Sequence, residues 1–378
     1  MDISTGRLRA TDQGVLRRLD PVLVLAAVGL AVYGLFMVYS ASWRGLELAA
    51  EDPGFYMKKQ AGIMMLGVIA MMGVATFNFR LVKVYAGVAF AAVIVLLFVV
   101  LTPLGSEHAG AQRWISLPGF QLQPSEFAKL ALVAVLAAYL SEIKGEMDLR
   151  QVGRATAMAA GPMALVMVQP DLGTSMVFAA TLIGMLVVAG TRPKHLGVVL
   201  LGAIVATFLA LSLGIIRDYQ LARLASFFGS DADPLAAGYN KEQSLIAIGA
   251  GGIGGVGYLK GPQTTLDFVP QQHTDFIFTA VGEELGFLGA MVLLMLFGLV
   301  LWRGFRIALS SKDPFGTLVA TGIVSMLAFQ VFVNIGMTIG IMPVTGIPLP
   351  LVSYGGSALI TNFMAIGLLL SVQMRRFQ

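Results

Sequence analysis

Ionisable side chains gather where a long apolar segment begins, in the sequence PQQHTDFIFTAVGEELG at residues 270–286. His273 and Asp275 precede the apolar segment, and Glu283 and Glu284 lie in its first turns. A carboxylate at the boundary between membrane and water is partly desolvated and can serve as a general base. General base catalysis is therefore one hypothesis for Asp275. The alternative is that Asp275 or the preceding threonine caps the following helix.

A second charged group lies in the sequence QPSEFAKL, where Pro124 marks the start of a predicted helix and Ser125 is a candidate N-cap. Glu126 and Lys129 are three residues apart, so they share a helix face and can form an ion pair. Such a pair either stabilises the helix end, where it contributes little, or lines a polar cavity inside the membrane plane. We favour the cavity and predict that Ser125, Glu126 and Lys129 bind substrate.

Several cations on the same predicted face could bind the phosphate groups of an anionic ligand, with Arg forming forked hydrogen bonds. They are Arg113, Arg217, Arg223, Lys241 and Lys260. Each of them alone is better explained by contacts with lipid headgroups or loop carboxylates. As a set that faces two acidic segments, they predict an anionic substrate, for which Arg113 and Arg223 are candidate binding residues.

Two segments rich in glycine or proline leave alternatives open. GAGGIGGVG at 249–257 has the G-x-G-x-x-G spacing of a dinucleotide site, but no preceding strand, following helix or later acid is evident. We interpret it as a close-packed re-entrant loop or short helix. MPVTGIPLPLVSYGGSALITN at 342–362 forms either a cavity wall or a tight turn, and Ser353 within it is a candidate substrate-binding residue.

The composition places these residues in a membrane protein. Of the 378 residues, 57% are hydrophobic and 12% are charged, whereas soluble proteins carry about 25% charged residues. The 44 glycines suit close packing of membrane helices. The chain has no cysteine and only three scattered histidines, which excludes disulfides and disfavours a zinc site. The net charge of +4 follows membrane topology and is no sign of nucleic-acid binding.

Ten apolar segments are long enough to be membrane helices. They are roughly 21–41, 60–78, 82–102, 125–141, 155–169, 172–190, 195–216, 276–301, 316–340 and 352–373. The first 20 residues are polar and basic, so we predict a cytoplasmic N-terminal segment (1–20) and a first helix rather than a signal peptide.

The distribution of positive charge predicts that both termini are cytoplasmic. With ten spans both termini lie on the same side of the membrane. Segments on that side hold 16 Lys and Arg residues, whereas segments on the opposite side hold 5 when the long loop is left out of the count. The long segments 103–124 and 217–275 are then extracytoplasmic. The prediction is an all-α polytopic membrane protein with one transmembrane domain over 21–378 and a large outer loop between helices 7 and 8.

Five segments of the chain closely resemble the SEDS family (shape, elongation, division and sporulation). They are QLQPSEFAKL, QPDLGTS, GYNKEQSLIAIGAGGIGG, PQQHTDFIFTAVGEELGF and NIGMTIGIMPVTGIPLPLVSYGGS. The last one is similar to the elongation branch of the family, whereas the division branch typically has VNTGLLPTKGLTLP at this place. Gln271 stands where the family usually has Glu, and Asp275 is retained.

The resemblance implies a ten-helix peptidoglycan glycosyltransferase of the bacterial cytoplasmic membrane. Members of the family polymerise lipid II, a disaccharide-pentapeptide on a polyprenyl pyrophosphate, on the outer membrane face. They act with a class B penicillin-binding protein, here as part of the elongation machinery. The essential Asp of the family corresponds to Asp275, with His273 as a substrate-binding neighbour, and Glu126 and Lys129 line the same cavity.

The implied reaction inverts the anomeric centre, so one base suffices and no enzyme nucleophile is needed. Arg223, with Lys129 or Arg113, would stabilise the leaving pyrophosphate. A divalent cation (Mg or Mn) bound with the pyrophosphate could share this work, and no carboxylate cluster indicates a metal site of the protein itself. The alternatives are a flippase of the lipid-linked precursor and a non-catalytic scaffold for a penicillin-binding protein.

Overall fold

The computed structural model describes residues 19–108, 111–212, 237–266 and 268–376. Arg217, Arg223 and most of the predicted N-terminal segment lie outside the described residues. The helices are α1 (Pro21–Ser40), α2 (Trp43–Leu48), α3 (Phe55–Thr76), α4 (Phe79–Val100), α5 (Pro124–Leu140), α6 (Leu149–Val168), α7 (Leu172–Val188), α8 (Pro193–Ser212), α9 (Ala237–Gly251), α10 (Pro262–Thr265), α11 (Ile277–Ser310), α12 (Pro314–Thr338) and α13 (Gly356–Met374). The strands are β1 (Ser106–His108), β2 (Ala111–Leu117) and β3 (Phe120–Leu122).

The helices of the described residues confirm a multi-pass membrane protein. Seven helical segments are long and apolar enough to cross a membrane: they contain α1, α3, α4, α8, α11, α12 and α13. Helix α7 is apolar but shorter, and α5 and α6 coincide with two more predicted spans. The number of ten spans and the cytoplasmic placement of the termini stay predictions.

The centre of the bundle is formed by α5, α12 and α13. In α12 and α13, 67% and 78% of the most apolar stretch is buried, against 17% in α4 and none in α8. Helix α3 packs along α13, and α12 packs against α5, α7 and α11. Lipid is as apolar as a leucine side chain, so peripheral helices can leave their apolar faces exposed, and polar side chains are retained at the centre.

The segment 103–124 contains strands, so the prediction of an all-α protein is incomplete there. Strands β1, β2 and β3 form an antiparallel sheet in sequence order. The sheet is joined to α13, because the Ser357 hydroxyl accepts a hydrogen bond from Gln123 N (2.9 Å) and donates one to Gln121 O (2.9 Å). We call this end of the bundle, with the sheet and the turns before α11 and α13, the loop face.

Helix α11 is interrupted at Gly286, and the glycine-rich segment fills the gap. Phe287 N donates to Gly252 O (2.9 Å), and Val256 N donates to Glu283 O (3.0 Å). The segment thus supplies backbone partners that the broken helix lacks. A side chain on Gly255 would overlap the Glu284 carbonyl, and one on Gly251 would overlap the Gly282 carbonyl. Close packing therefore accounts for these two glycines and confirms the interpretation as a close-packed segment there, whereas Gly249, Gly252 and Gly254 have open space beside them.

Substitution of Gly286 by Ala is expected to destabilise the protein by at least about 1–3 kcal/mol, because Gly286 has a φ of 64° and a ψ of −161°, which other residues avoid. A side chain would also overlap the backbone nitrogen of Gly255. Gly298→Ala is the matched control, because nothing lies within 4 Å of the added carbon on the same helix. Thermal unfolding in detergent should show a midpoint below that of wild type for Gly286→Ala but not for Gly298→Ala. Equal midpoints in the two variants would contradict the predicted backbone strain at position 286.

The opposite end of α11 is longer than predicted, and it binds the start of α1. Asp20 accepts hydrogen bonds from Val22 N and Leu23 N and so caps α1. Its second oxygen accepts a hydrogen bond from Arg303 Nε at 2.7 Å. This ion pair supports the last turns of α11, which continue to Ser310 rather than to the predicted end at 301.

Candidate functional site

Asp275 lies half-buried in a turn at the loop face, directly before α11. Helix α11 begins at Ile277, and its N-cap position is Phe276, with no side-chain capping bond. The alternative that Asp275 or Thr274 caps this helix is therefore wrong. The turn itself is closed by Asp275 N, which donates to Gln271 O (3.1 Å), and Gln271 has the unusual φ of 56°. Strained backbone of this kind clusters at functional sites.

Three separate elements hold the turn that carries Asp275. Asn334 of α12 donates from Nδ2 to the Asp275 carbonyl (2.7 Å). Tyr354 N, ahead of α13, donates to the His273 carbonyl (3.0 Å). Gln272 is fully buried and donates to the hydroxyls of Thr264 (3.0 Å) and Thr279 (3.2 Å). The backbone around Asp275 is thus fixed before any substrate binds.

An aromatic group surrounds His273. Its ring stacks on Tyr56 with 4.8 Å between ring centroids, and the Tyr354 ring lies 5.7 Å away. Tyr56 and Tyr354 also meet edge to face at 4.9 Å. Burial among these rings lowers the pKa of His273 below its ordinary value of 6.5. The predicted substrate-binding His273 is therefore an uncharged member of an aromatic wall beside Asp275.

The buried imidazole is expected to make stability depend on pH. Below about pH 6.5 an unfolded histidine takes up a proton, which the folded protein accepts only at lower pH. Stability should therefore be unaffected by His273 above that value and fall as the pH is lowered through it. Thermal midpoints between pH 7.5 and 5.5 should fall less steeply for His273→Gln than for wild type. Equal dependence of the thermal midpoint on pH in wild type and His273→Gln would contradict a lowered pKa of His273.

The segment from Met342 to Gly355, which we call the wall, is irregular, buried or half-buried, and longer than a single tight turn. Asn334 donates to its Ile347 carbonyl (2.7 Å), and Gln60 of α3 donates to its Val352 carbonyl (3.3 Å). The hydroxyl of Ser353 accepts a hydrogen bond from Leu349 N (2.9 Å), and the residue is buried. The structure therefore places the predicted substrate-binding Ser353 inside the segment, where its hydroxyl supports the backbone.

Glu283 and Glu284 are fully buried and bind the loop that precedes Asp275. The Glu283 carboxylate accepts hydrogen bonds from Gln263 N (2.7 Å), Thr264 N (2.8 Å) and the Thr264 hydroxyl (2.6 Å). The Glu284 carboxylate accepts from the Ser40 hydroxyl at 2.6 Å. These acids satisfy backbone and hydroxyl donors of the loop face.

The charged pair on α5 is closed and buried. Nζ of Lys129 lies 2.8 Å from Oε1 and 2.7 Å from Oε2 of Glu126, and each side chain is 3% exposed. Gln123 occupies the N-cap position, so the prediction that Ser125 caps α5 is wrong. The Ser125 hydroxyl is buried without a hydrogen-bond partner among the described residues. The structure therefore brings these predicted substrate-binding residues together, but in a state that is closed to ligand.

Arg113 joins the sheet to the turn between α6 and α7. Its guanidinium donates to the Gln169 carbonyl at 3.0 Å and to the Pro170 carbonyl, and it lies 3.9 Å from the Asp171 carboxylate. An arginine used in this way anchors two elements, and two of its five N–H donors are already engaged with carbonyl groups. This placement favours a structural role for Arg113 over the predicted binding role.

The family profile for FtsW, RodA and SpoVE, described as a cell cycle protein, matches residues 21–378. The chain belongs to this family. It is 40% identical to stage V sporulation protein E of Bacillus subtilis, over 93% of this chain and 96% of that protein. It is 38% identical to the peptidoglycan glycosyltransferase MrdB of Escherichia coli, over 95% of this chain and 94% of that protein. The SEDS resemblance is thereby confirmed.

Two solved structures of similar proteins confirm the fold. The rod shape determining protein RodA of Thermus thermophilus is 30% identical with a TM-score of 0.70, over 95% of this chain and 98% of that chain. A chain of a peptidoglycan synthase complex, described as coordinating polymerization and crosslinking, is 31% identical with a TM-score of 0.80, over 95% of this chain and 99% of that chain. The FtsW/RodA/SpoVE arrangement of helices therefore extends over nearly the whole chain.

The described part of this family member shows no protein metal centre. Among the described residues, no group of three or more His, Asp or Glu side chains could hold a metal ion. A hard divalent cation takes six or more oxygen ligands or keeps several waters, so one carboxylate such as Asp275 does not make a resident site. Within the described part of the chain, the residues therefore do not fit a resident metal ion.

Two residues that shape the site were not predicted from the sequence. Asn334 and Gln60 are buried amides that hold backbone carbonyls of irregular segments. Asn334 stands in an apolar helix, and a polar side chain inside a membrane helix usually faces a protein partner. That signal could have marked the residue, but it could not have named the partner.

Proposed function

We propose that the protein is a peptidoglycan glycosyltransferase that polymerises lipid II on the outer face of the bacterial cytoplasmic membrane during cell elongation. The observation that carries this proposal is the placement of Asp275 in a fixed, half-buried turn at the loop face. Support comes from full-length similarity to a protein named peptidoglycan glycosyltransferase. The likeness to RodA and the elongation-type segment at 334–350 support the elongation role.

Asp275 is the general base of the proposed reaction. Its carboxylate takes the proton of the acceptor 4-hydroxyl as that oxygen forms a bond to the donor C1. The bond from C1 to the pyrophosphate oxygen breaks at the same time, and the pyrophosphate leaves with the electron pair. A single base suffices because one displacement converts the α linkage of the donor into a β linkage.

The leaving pyrophosphate needs positive charge. Lys129 serves this purpose only if its pair with Glu126 opens, and Arg113 is engaged with carbonyl groups. Arg223 therefore remains the proposed binding residue for the pyrophosphate, on sequence grounds alone. A Mg or Mn ion that takes part would be bound by the pyrophosphate itself and enter with the substrate.

The proposed partner is a class B penicillin-binding protein that crosslinks the new strand within the elongation machinery. The similar chain in a peptidoglycan synthase complex supports this proposal, because its helices superpose on nearly the whole chain. The exposed apolar helices α4 and α8 leave wide surfaces for lipid tails or for a partner's membrane helix.

Reconstitution of the purified protein with its partner and lipid II tests the proposal. We expect glycan strands on a gel. Transfer of lipid II across the vesicle bilayer without strands would instead indicate a flippase. A folded complex that shows neither strands nor transfer would indicate a scaffold.

A further inference from the structure

Asn334 is fully buried in α12, one turn before the helix ends at Thr338. Its side-chain nitrogen donates two hydrogen bonds of 2.7 Å each, one to the Asp275 carbonyl and one to the Ile347 carbonyl. An amide nitrogen has two hydrogens, so both are used. The two acceptors are separated from Asn334 by 59 and 13 positions, so one side chain joins three parts of the chain.

The Asp275 carbonyl is a sensitive point of the turn. It belongs to the peptide that connects Asp275 to Phe276, the residue in the N-cap position of α11. Fixing this peptide plane restricts the backbone on one side of the Asp275 α-carbon, and so helps to set the direction of the Cα–Cβ bond from which the carboxylate extends. Displacement of a reacting group by about 1 Å can lower a rate by about 10²-fold.

The second hydrogen bond of Asn334 holds the backbone of the wall, at the Ile347 carbonyl. Ile347 lies in the buried segment from Met342 to Gly355, whose Tyr354 donates to the His273 carbonyl. The turn and the wall are therefore bound to each other directly and through Asn334. Helix α12 lies at the centre of the bundle, so it provides a rigid support for both.

We propose that Asn334 is a positioning residue for the glycosyl transfer: its two hydrogen bonds hold the Asp275 turn against the 342–355 wall and so aim the carboxylate at the acceptor hydroxyl. The proposal rests on the proposed function, in which Asp275 is the base. Asn334 touches no substrate in this role. Its loss should lower kcat and leave the KM for lipid II nearly unchanged, because the carboxylate remains but is no longer fixed.

The test compares Asn334→Ala with Ser244→Ala in lipid II polymerisation by the complex with the partner. Ser244 is a matched control, because it is also buried and donates to a backbone carbonyl of α12, Thr338 O at 2.7 Å, without contacting the turn. Assays run well below both thermal midpoints separate rate from stability. We expect kcat to fall about 10–100-fold for Asn334→Ala, with KM within about twofold, and no change of kcat for Ser244→Ala.

Asn334→Ser keeps one donor and should lose less of kcat than Asn334→Ala. If the alanine variant does not fold, the serine variant decides, and an unchanged kcat would overturn the proposal. Equal losses of kcat in Asn334→Ala and Ser244→Ala would also overturn it. Wild type and Asp275→Asn run in the same assay. An inactive wild type would refute the proposed function, and an Asp275→Asn variant as active as wild type would refute the assignment of the base; either result would remove the positioning role.

Discussion

Replacement of Asp275 by Asn is expected to lower the rate of lipid II polymerisation by about 10²–10⁴-fold, because an amide cannot accept the proton of the acceptor hydroxyl. The substitution keeps size and shape, and the hydrogen bond from Asn334 goes to the backbone of residue 275, so the turn should persist. The rate of strand formation by the purified complex measures the effect, and the thermal midpoint checks that the variant is folded.

Glu242→Gln is the matched control for this experiment. It makes the same change from carboxylate to amide on the exposed surface of α9 at the loop face, and we expect no loss of rate. Wild-type activity in Asp275→Asn would remove the assignment of the base and favour the scaffold, which tolerates the change. Equal losses in both variants would point to a general charge effect rather than to a base.

Replacement of Lys129 by Met is expected to destabilise the protein by about 3–5 kcal/mol, because it leaves the Glu126 carboxylate buried without its cation. Both side chains are 3% exposed, so water cannot replace the lost partner. Unfolding of the purified protein in detergent, followed by temperature or denaturant, measures the loss. A loss of unfolding free energy below about 1 kcal/mol, as expected for an exposed ion pair, would contradict the burial of this pair.

The double variant Glu126→Gln with Lys129→Met separates folding from function. Removing both charges should restore most of the stability, since a buried ion pair often contributes little net stability over neutral groups of similar volume. A stable double variant that polymerises lipid II would show that Glu126 and Lys129 contribute only to folding. A stable double variant without activity would support the predicted role of Glu126 and Lys129 in substrate binding.

The sequence predicts the helices well where lipid sets their length. Predicted and observed bounds of α1 and α12 differ by no more than two residues, because the apolar run itself ends at the membrane boundary. Helix α6 begins at Leu149 rather than at 155, since Asp148 and Gln151 form a capping box that continues the helix through polar residues. Apolar length alone cannot detect such an extension.

The sequence by itself determined the membrane class, the family and the position of Asp275, because composition, apolar length and short motifs are local properties of the chain. The roles of the neighbouring polar residues depended on tertiary structure. Glu283 binds Thr264, and Asn334 binds Asp275, which lies 59 positions away. A buried carboxylate or amide forms hydrogen bonds with whichever donor or acceptor the fold brings within about 3 Å. Sequence spacing does not contain that distance, so only the folded chain separates Asp275, the proposed base, from the acids that hold the loop.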